Sequence, residues 1–180
     1  PKISSVGCPM PYCDVRIVTP EDAPVDVGKT GEITVRGPNV MNGYWKRPEE
    51  SEAVMRGGFY HTGDAGWMDE DGYLHLSGRT KEMIITGGEN VYPIETENCL
   101  SLHDAVASVA VLGLPDTRWG ERVVAGVTLK KPVTADDLIA HCKARIAGYK
   151  VPKAVYIWDT ALPLTPANKI DKTEIRRLLT

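Results

Sequence analysis

The hydrophobic rhythm of this chain changes at Arg79-Thr80-Lys81, and the two sides of that point cannot share one architecture. Upstream, residues 14–18 and 31–37 alternate apolar and polar side chains, the pattern of half-buried strands, with a Pro- and Asp-rich loop over 20–29 between them. A short helix is expected over 48–55, with Pro48 near its start, acids in its first turn and Gly57-Gly58 stopping it. Gly66-Trp67-Met68 and Tyr73-Leu74-His75-Leu76 flank Asp69-Glu70-Asp71-Gly72, a hairpin in which Gly72 supplies the positive φ of the turn. Downstream, strands and helices alternate. An apolar strand over 83–86 is closed by Gly87-Gly88, and a helix over 93–100 has Pro93 in its first turn. Two β-branched strands over 106–114 and 122–129 precede a helix that Thr134 and Asp137 cap and that runs to Ala147. A strand over 154–158, a proline-stiffened loop over 162–169 and a helix over 172–179 capped by Asp171 complete the order. The fold class is therefore α+β: a small β-rich subdomain followed by a mixed-sheet α/β domain, with the boundary at 79–81.

Composition narrows the partners. With 42% hydrophobic and 25% charged residues the chain is an ordinary globular one, and at 180 residues it can bury roughly 70% of its unfolded surface. A net charge of −3 carries no polybasic signature, which argues against nucleic acid. Cys8, Cys13, Cys99 and Cys142 have no CxxC spacing or paired histidines, so reduced thiols in a cytoplasmic protein are expected and no metal site is assigned. No apolar run reaches the length of a membrane span, and Pro1-Lys2-Ile3-Ser4 does not begin a signal peptide.

Chemistry concentrates in short segments bounded by turns. Tyr60-His61-Thr62-Gly63-Asp64 is followed by Gly78-Arg79-Thr80-Lys81-Glu82-Met83-Ile84-Ile85-Thr86-Gly87-Gly88. A carboxylate such as Asp64 can accept both hydroxyls of a ribose diol, and the planar fork of Arg79 can donate to oxygens of the same sugar or of a phosphate. Alone, Thr-Gly-Asp is also common turn chemistry. His61 sits beside this acid and is read as structural, as are His75, His103 and His141. Later, Lys169 lies in Pro166-Ala167-Asn168-Lys169-Ile170-Asp171-Lys172, on a loop held by Pro163 and Pro166.

Four segments in this order, Gly31-Glu32-Ile33 through Gly43-Tyr44-Trp45, Tyr60 to Asp64, Gly78 to Gly88, and Pro166 to Lys172, resemble the C-terminal third of the adenylate-forming superfamily, which includes acyl- and aryl-CoA ligases, luciferases and the adenylation domains of peptide synthetases. The resemblance runs from about Val6 to the last residue. It implies residues 1–78 as the β-rich end of an N-terminal AMP-binding domain, 79–81 as a hinge and 82–180 as a mobile C-terminal domain. It implies a carboxylic acid activated by ATP to an acyl-adenylate and passed to coenzyme A, fatty or aryl acids being the favoured type. Asp64 and Arg79 would bind nucleotide and Lys169 would carry the catalytic cation, while Lys81 would be the hinge residue and Gly87 and Gly88 would line the passage of the coenzyme A thiol. Lys150 and Lys153 are candidates for coenzyme A phosphates, and Trp119 for packing. Asn168 replaces the family's usual glycine, and Asn is the side chain that best tolerates the positive φ which that glycine suggests.

The large N-terminal domain, with its pyrophosphate loop and the Thr-Glu pair that holds Mg2+ and nucleotide, is absent from the sequence, so the resemblance implies a C-terminal fragment nearly inactive alone. The other reading is a freestanding module that senses nucleotide or binds a partner without catalysis. The lysine motif counts against it.

Overall fold

A computed structural model describes residues 5–180; Pro1-Lys2-Ile3-Ser4, read above for a leader, lies outside the described residues. The chain divides into two compact units, one ending at Lys81 and the other comprising Glu82–Thr180. Among the described residues no helix is long and apolar enough to cross a membrane.

The first unit is one antiparallel sheet. Strands β1 (Asp14–Val18), β2 (Gly31–Arg36), β4 (Phe59–Met68) and the two-residue β3 (Met55–Arg56) lie in the order β1-β2-β4-β3, and β5 (Leu74–Arg79) pairs with β4. Helix α1 (Pro48–Val54) precedes β3. Ile17 and Val18 of β1 and Ile33 of β2 are buried, and β4 adds Phe59 and Ala65. The expected hairpin closes as read: Gly72, at φ 78°, donates to the Asp69 carbonyl, and Asp69 donates to that of Tyr73.

Thr62-Gly63-Asp64 departs from expectation. It is part of the ten-residue strand β4, and residues 62–64 bulge opposite Ile33, because Glu32 pairs with Ala65 and Thr34 with His61. Gly63 takes φ 71°, which lets the strand absorb the additional residues and continue.

The second unit is a mixed sheet. Strands β6 (Ile84–Thr86) and β7 (Glu89–Val91) form a hairpin, β8 (Val106–Asp116) and β9 (Gly120–Leu129) form a long one, and β10 (Ala154–Ile157) joins β9 in parallel. Unlike β1, strand β8 reads as an almost unbroken apolar run because both faces of the sheet are covered. Val109 and Val111, with Val123, Ala125 and Val127 of β9, face one core beside Leu100, Cys99, Leu138 and Cys142 of helices α2 (Pro93–Ser101) and α3 (Ala135–Lys143). Ala110, Leu112, Leu114 and Val124 face a second core with Leu162 and Ile175 of α4 (Lys172–Leu179). A register shift between Val106 and Ser108 reverses the alternation there, so Val106 joins the same core as Val109.

Thr134 caps α3 through a reciprocal box with Asp137, and Asp171 caps α4 by accepting the N–H of Glu174. Helix α3 ends at Lys143, short of the Ala147 expected from sequence; the following residues form turns up to Gly148.

Candidate functional site

Two structural devices in the first unit hold the acid at position 64. The strands β4 and β5 pair Asp64 directly with Arg79, so the two motifs that sequence reading joined are cross-strand neighbours. The Arg79 Nη1 lies 3.1 Å from Asp64 Oδ1 and donates to the Thr62 carbonyl at 3.3 Å. Arg79 is largely accessible and Asp64 partly so, and a solvent-reached pair of this kind adds at most about 1 kcal/mol, so a ligand that offers hydroxyls or phosphate oxygens can rearrange it at small cost. The second Asp64 oxygen and the remaining guanidinium donors suit a ribose diol.

The bulge is fastened from all sides. Thr62 Oγ1 donates to the Ile33 carbonyl at 2.7 Å and accepts the Asp64 N–H at 3.1 Å. Glu32 Oε1 accepts the Gly63 N–H at 3.1 Å, and Thr80 Oγ1 donates to the Gly63 carbonyl at 3.1 Å. The other Glu32 oxygen lies 2.9 Å from Nδ1 of the buried His61, which also contacts Arg56 at 3.0 Å. His61 is thus structural, as its chemistry suggested. So is His75, whose Nε2 lies 2.9 Å from Asp69 Oδ2 and whose ring stacks on Trp67 at 4.1 Å. The part played by Glu32 escaped sequence reading: its contacts reach across 29 and 31 residues and leave no local spacing. Tyr60, in the same motif as Asp64, has its hydroxyl pKa raised, first by a hydrogen bond with Tyr44 and then by desolvation.

In the second unit, Gly87 and Gly88 are the two central residues of the β6–β7 hairpin, with φ 60° and 85°. Positive φ at both is the signature of the turn whose twist suits a two-residue hairpin, so the pair forms a turn and not a bulge. The turn borders a cavity of about 240 Å³ lined by Thr86, Gly87, Glu89, Trp119, Tyr149 and Lys153, with Gly148 at its side. A Cβ at Gly87 would stand 2.8 Å from Cε3 of Trp119, while one at Gly88 would meet open space. Trp119 is seated by the β8–β9 turn: Asp116 accepts the N–H groups of Arg118 and Trp119 at 2.9 and 3.0 Å, and those bonds hold its carboxyl below the usual range. Lys153 lines the cavity, whereas Lys150 is committed to Glu95 at 2.6 Å. Burial disfavours charge on Lys150, but Glu95 and Tyr149 together outweigh it and the ammonium pKa stands above its ordinary value.

Lys81 is exposed in a 3-10 turn (Thr80–Glu82), in place of the strand setting also considered for it. Lys169 is exposed on a tight loop in which Leu164 bridges Ile170 and the Thr165 N–H donates to the Lys169 carbonyl at 2.7 Å. Asn168 takes φ 58°, the conformation expected of a residue standing in for glycine. The four cysteines are free.

The chain matches the AMP-binding enzyme family over residues 1–45 and the AMP-binding enzyme C-terminal domain over residues 95–169. The chain belongs to the AMP-binding enzyme family. Among AMP-binding relatives, it is 48% identical to a feruloyl-CoA synthase of an Amycolatopsis species, aligning 98% of this chain with 36% of that protein. It is 46% identical to a long-chain-fatty-acid–CoA ligase of Bacillus subtilis, over 99% of this chain and 32% of the ligase. The o-succinylbenzoate CoA synthetase of Bacillus subtilis, solved with its acyl-adenylate intermediate, superposes with a TM-score of 0.90 at 38% identity, covering 99% of this chain and 36% of the synthetase. The same synthetase solved with ATP and a magnesium ion gives 0.88, again at 38% identity and 99% and 36% coverage. The chain thus spans about a third of the length of the AMP-binding relatives it matches.

Proposed function

We propose that this chain works within a longer protein as the C-terminal part of an AMP-forming acid–thiol ligase, which activates a fatty or aryl carboxylic acid and transfers it to coenzyme A. The observation that carries the reading is the cross-strand juxtaposition of Asp64 and Arg79 on a fully fastened bulge, in a chain with CoA ligases among its relatives. In this reading the unit ending at Lys81 is the end of the nucleotide-binding domain and Glu82–Thr180 is the mobile one.

The reaction has two steps. A carboxylate oxygen attacks the α-phosphorus of ATP and pyrophosphate leaves; then the coenzyme A sulfur attacks the acyl carbon, loses its proton, and AMP leaves. In the first step Asp64 accepts the ribose hydroxyls and Arg79 donates to sugar or phosphate oxygens. Lys169 brings its ammonium to the oxygens on which charge accumulates, the role for which a fixed cation is most effective. The acid is already ionised at neutral pH, so no general base is required. Between the steps the chain turns at Lys81. The Gly87–Gly88 turn then borders the path of the thiol: its backbone carries no side chain to block a narrow arm, and the cavity beside it has Trp119 and Tyr149 for the arm and Lys153 for phosphate. Mg2+ would neutralise the phosphates of ATP. Among the described residues no three His, Cys, Asp or Glu side chains are grouped to hold a metal, so its ligands are assigned to the remainder of the longer protein, together with the acyl pocket. The four free thiols fit a cytoplasmic setting.

The test is acid-dependent ATP–pyrophosphate exchange by the longer protein. Lys169→Ala is expected to lower exchange by about 10²- to 10³-fold, the loss typical of removing one preorganised electrostatic group. Exchange within about twofold of wild type would overturn the assignment of Lys169, since that is far below the cost of losing such a group. Strong exchange by the 180-residue chain alone would overturn the dependence on the remainder.

A further inference from the structure

The residues on either side of Lys81 are tied down separately. On the upstream side, Thr80 Oγ1 donates to the Gly63 carbonyl at 3.1 Å, and Arg79 is paired with Asp64 within the first unit. On the downstream side, the Glu82 carboxylate is held by Lys172 within the second. Lys172 in turn lies 2.9 Å from Glu97 Oε1, and that same oxygen accepts the N–H of Val111 from β8 at 2.9 Å. Glu97 is 15% exposed and Lys172 25%, so this pair is mostly out of water, while Glu82 at the end of the relay is 43% exposed. It begins on a core strand, passes through α2 and the first residue of α4, and ends on the residue next to Lys81. The exposed Lys81 side chain has no hydrogen-bond or ion-pair partner among the described residues.

We propose that the Glu97–Lys172–Glu82 relay is the downstream clamp of the hinge: it makes residue 82 part of the rigid second unit and confines the torsional change to Lys81. Thr80 is the matching clamp upstream. The inference rests on the hinge reading above and deepens it. A turn that is free at one residue and bolted at both neighbours rotates between defined end points, whereas one that frays on its downstream side gives a spread of orientations. The relay also reaches the loop that carries Lys169, because Lys172 is three residues beyond it and Asp171, between them, caps α4. One anchor therefore sets both the pivot and the position of the catalytic cation relative to that pivot. Glu82, Glu97 and Lys172 act here as positioning residues, with no contact to substrate.

The test uses the longer protein, spin-labelled at Glu52→Cys in the first unit and Lys143→Cys in the second, with its other reactive cysteines replaced by serine. Glu82→Gln and Lys172→Met are compared with the parent by pulsed electron resonance distances and by steady-state kinetics. In the parent, two distance populations are expected whose ratio changes on adding coenzyme A. In both variants each population should broaden by about half or more, and kcat for thioester formation should fall about tenfold with KM for ATP and acid within about twofold, because a misplaced group costs turnover without weakening ground-state binding. A simple folding defect would instead lower the amount of active enzyme and leave the width of the surviving populations unchanged. If the parent switches and the variants keep its widths, the clamp is refuted and the hinge stands. If the parent shows a single distance that coenzyme A does not shift, the hinge reading fails and the clamp falls with it.

Discussion

Replacing Gly87 and Gly88 one at a time by alanine separates two costs that the β6–β7 turn imposes. Both glycines have positive φ, where an L side chain costs about 1–2 kcal/mol. For Gly88 that is the whole cost, because a Cβ there meets nothing within 4 Å. At Gly87 the new methyl would stand 2.8 Å from Cε3 and 3.2 Å from Cζ3 of Trp119, so the indole must shift. The Trp119 backbone is anchored, since Asp116 accepts its N–H and the Gly87 N–H donates to its carbonyl at 2.9 Å, so the indole itself has to give way. Overpacking against that indole adds about 1–3 kcal/mol. The expected destabilisation is therefore about 1–2 kcal/mol for Gly88→Ala and about 2–5 kcal/mol for Gly87→Ala. Urea unfolding of the 180-residue chain, followed by tryptophan fluorescence, reads the difference; with an m-value of about 2 kcal/mol/M, Gly88→Ala lowers the midpoint by about 0.5–1 M and Gly87→Ala by at least as much again. Trp119→Ala added to Gly87→Ala should bring its further cost close to that of Gly88→Ala. Equal midpoints for the two single variants, or no relief from Trp119→Ala, would refute the contact.

Other outcomes follow from local geometry. Asn168→Ala should destabilise the Lys169 loop by about 1 kcal/mol, while Asn168→Gly should be nearly neutral, since only the left-handed backbone is at stake; differential hydrogen exchange over residues 164–170 measures both. Cys8, which is exposed, should react readily with a disulfide reagent, whereas Cys142 should remain inert until the chain unfolds, because burial and the neighbouring Cys99 push its pKa up to about 12; mass mapping of the labelled sites decides. At the start of α3, bonds from the Thr134 hydroxyl and N–H depress the Asp137 pKa. A depressed carboxyl gives stability that is full above its unfolded pKa of about 3.9 and is lost as pH falls through the lower folded value, so Thr134→Ala should cost about 1 kcal/mol at pH 7 and progressively less in acid, checked by denaturation at both pH values.

The parts of the fold that were legible in sequence are those governed by near neighbours. The Thr134 box, the Asp171 cap, the Gly72 hairpin and the positive φ of Asn168 each depend on a few consecutive residues. The strand β7 was not legible, because three residues with two polar ones, Glu89-Asn90-Val91, have no rhythm; its place comes from the turn and from pairing with β6. Thr62-Gly63-Asp64 read as a turn because its composition suits one, and it is a bulge because the partner strand β2 continues opposite it. In the site, the pairing of Asp64 with Arg79 could be anticipated from motif order, while Glu32 beneath the bulge and the Lys172–Glu82 contact could not. The latter joins residues 90 positions apart, and nothing short of the folded sheet brings them together.

Glu97 has a consequence outside catalysis. Strand β8 is eleven residues long and strongly apolar, has a single strand neighbour, β9, and is buried from Ala110 to Leu114, so a backbone donor on its other margin has no water to turn to. A buried N–H left without a partner costs about 1–3 kcal/mol. Here the Glu97 carboxylate occupies the Val111 N–H midway along the strand, and Pro115 has no N–H to offer near its end. One borrowed carboxylate does there what no second strand does, and a chain that lost Glu97 would keep an unpaired N–H sealed in its core.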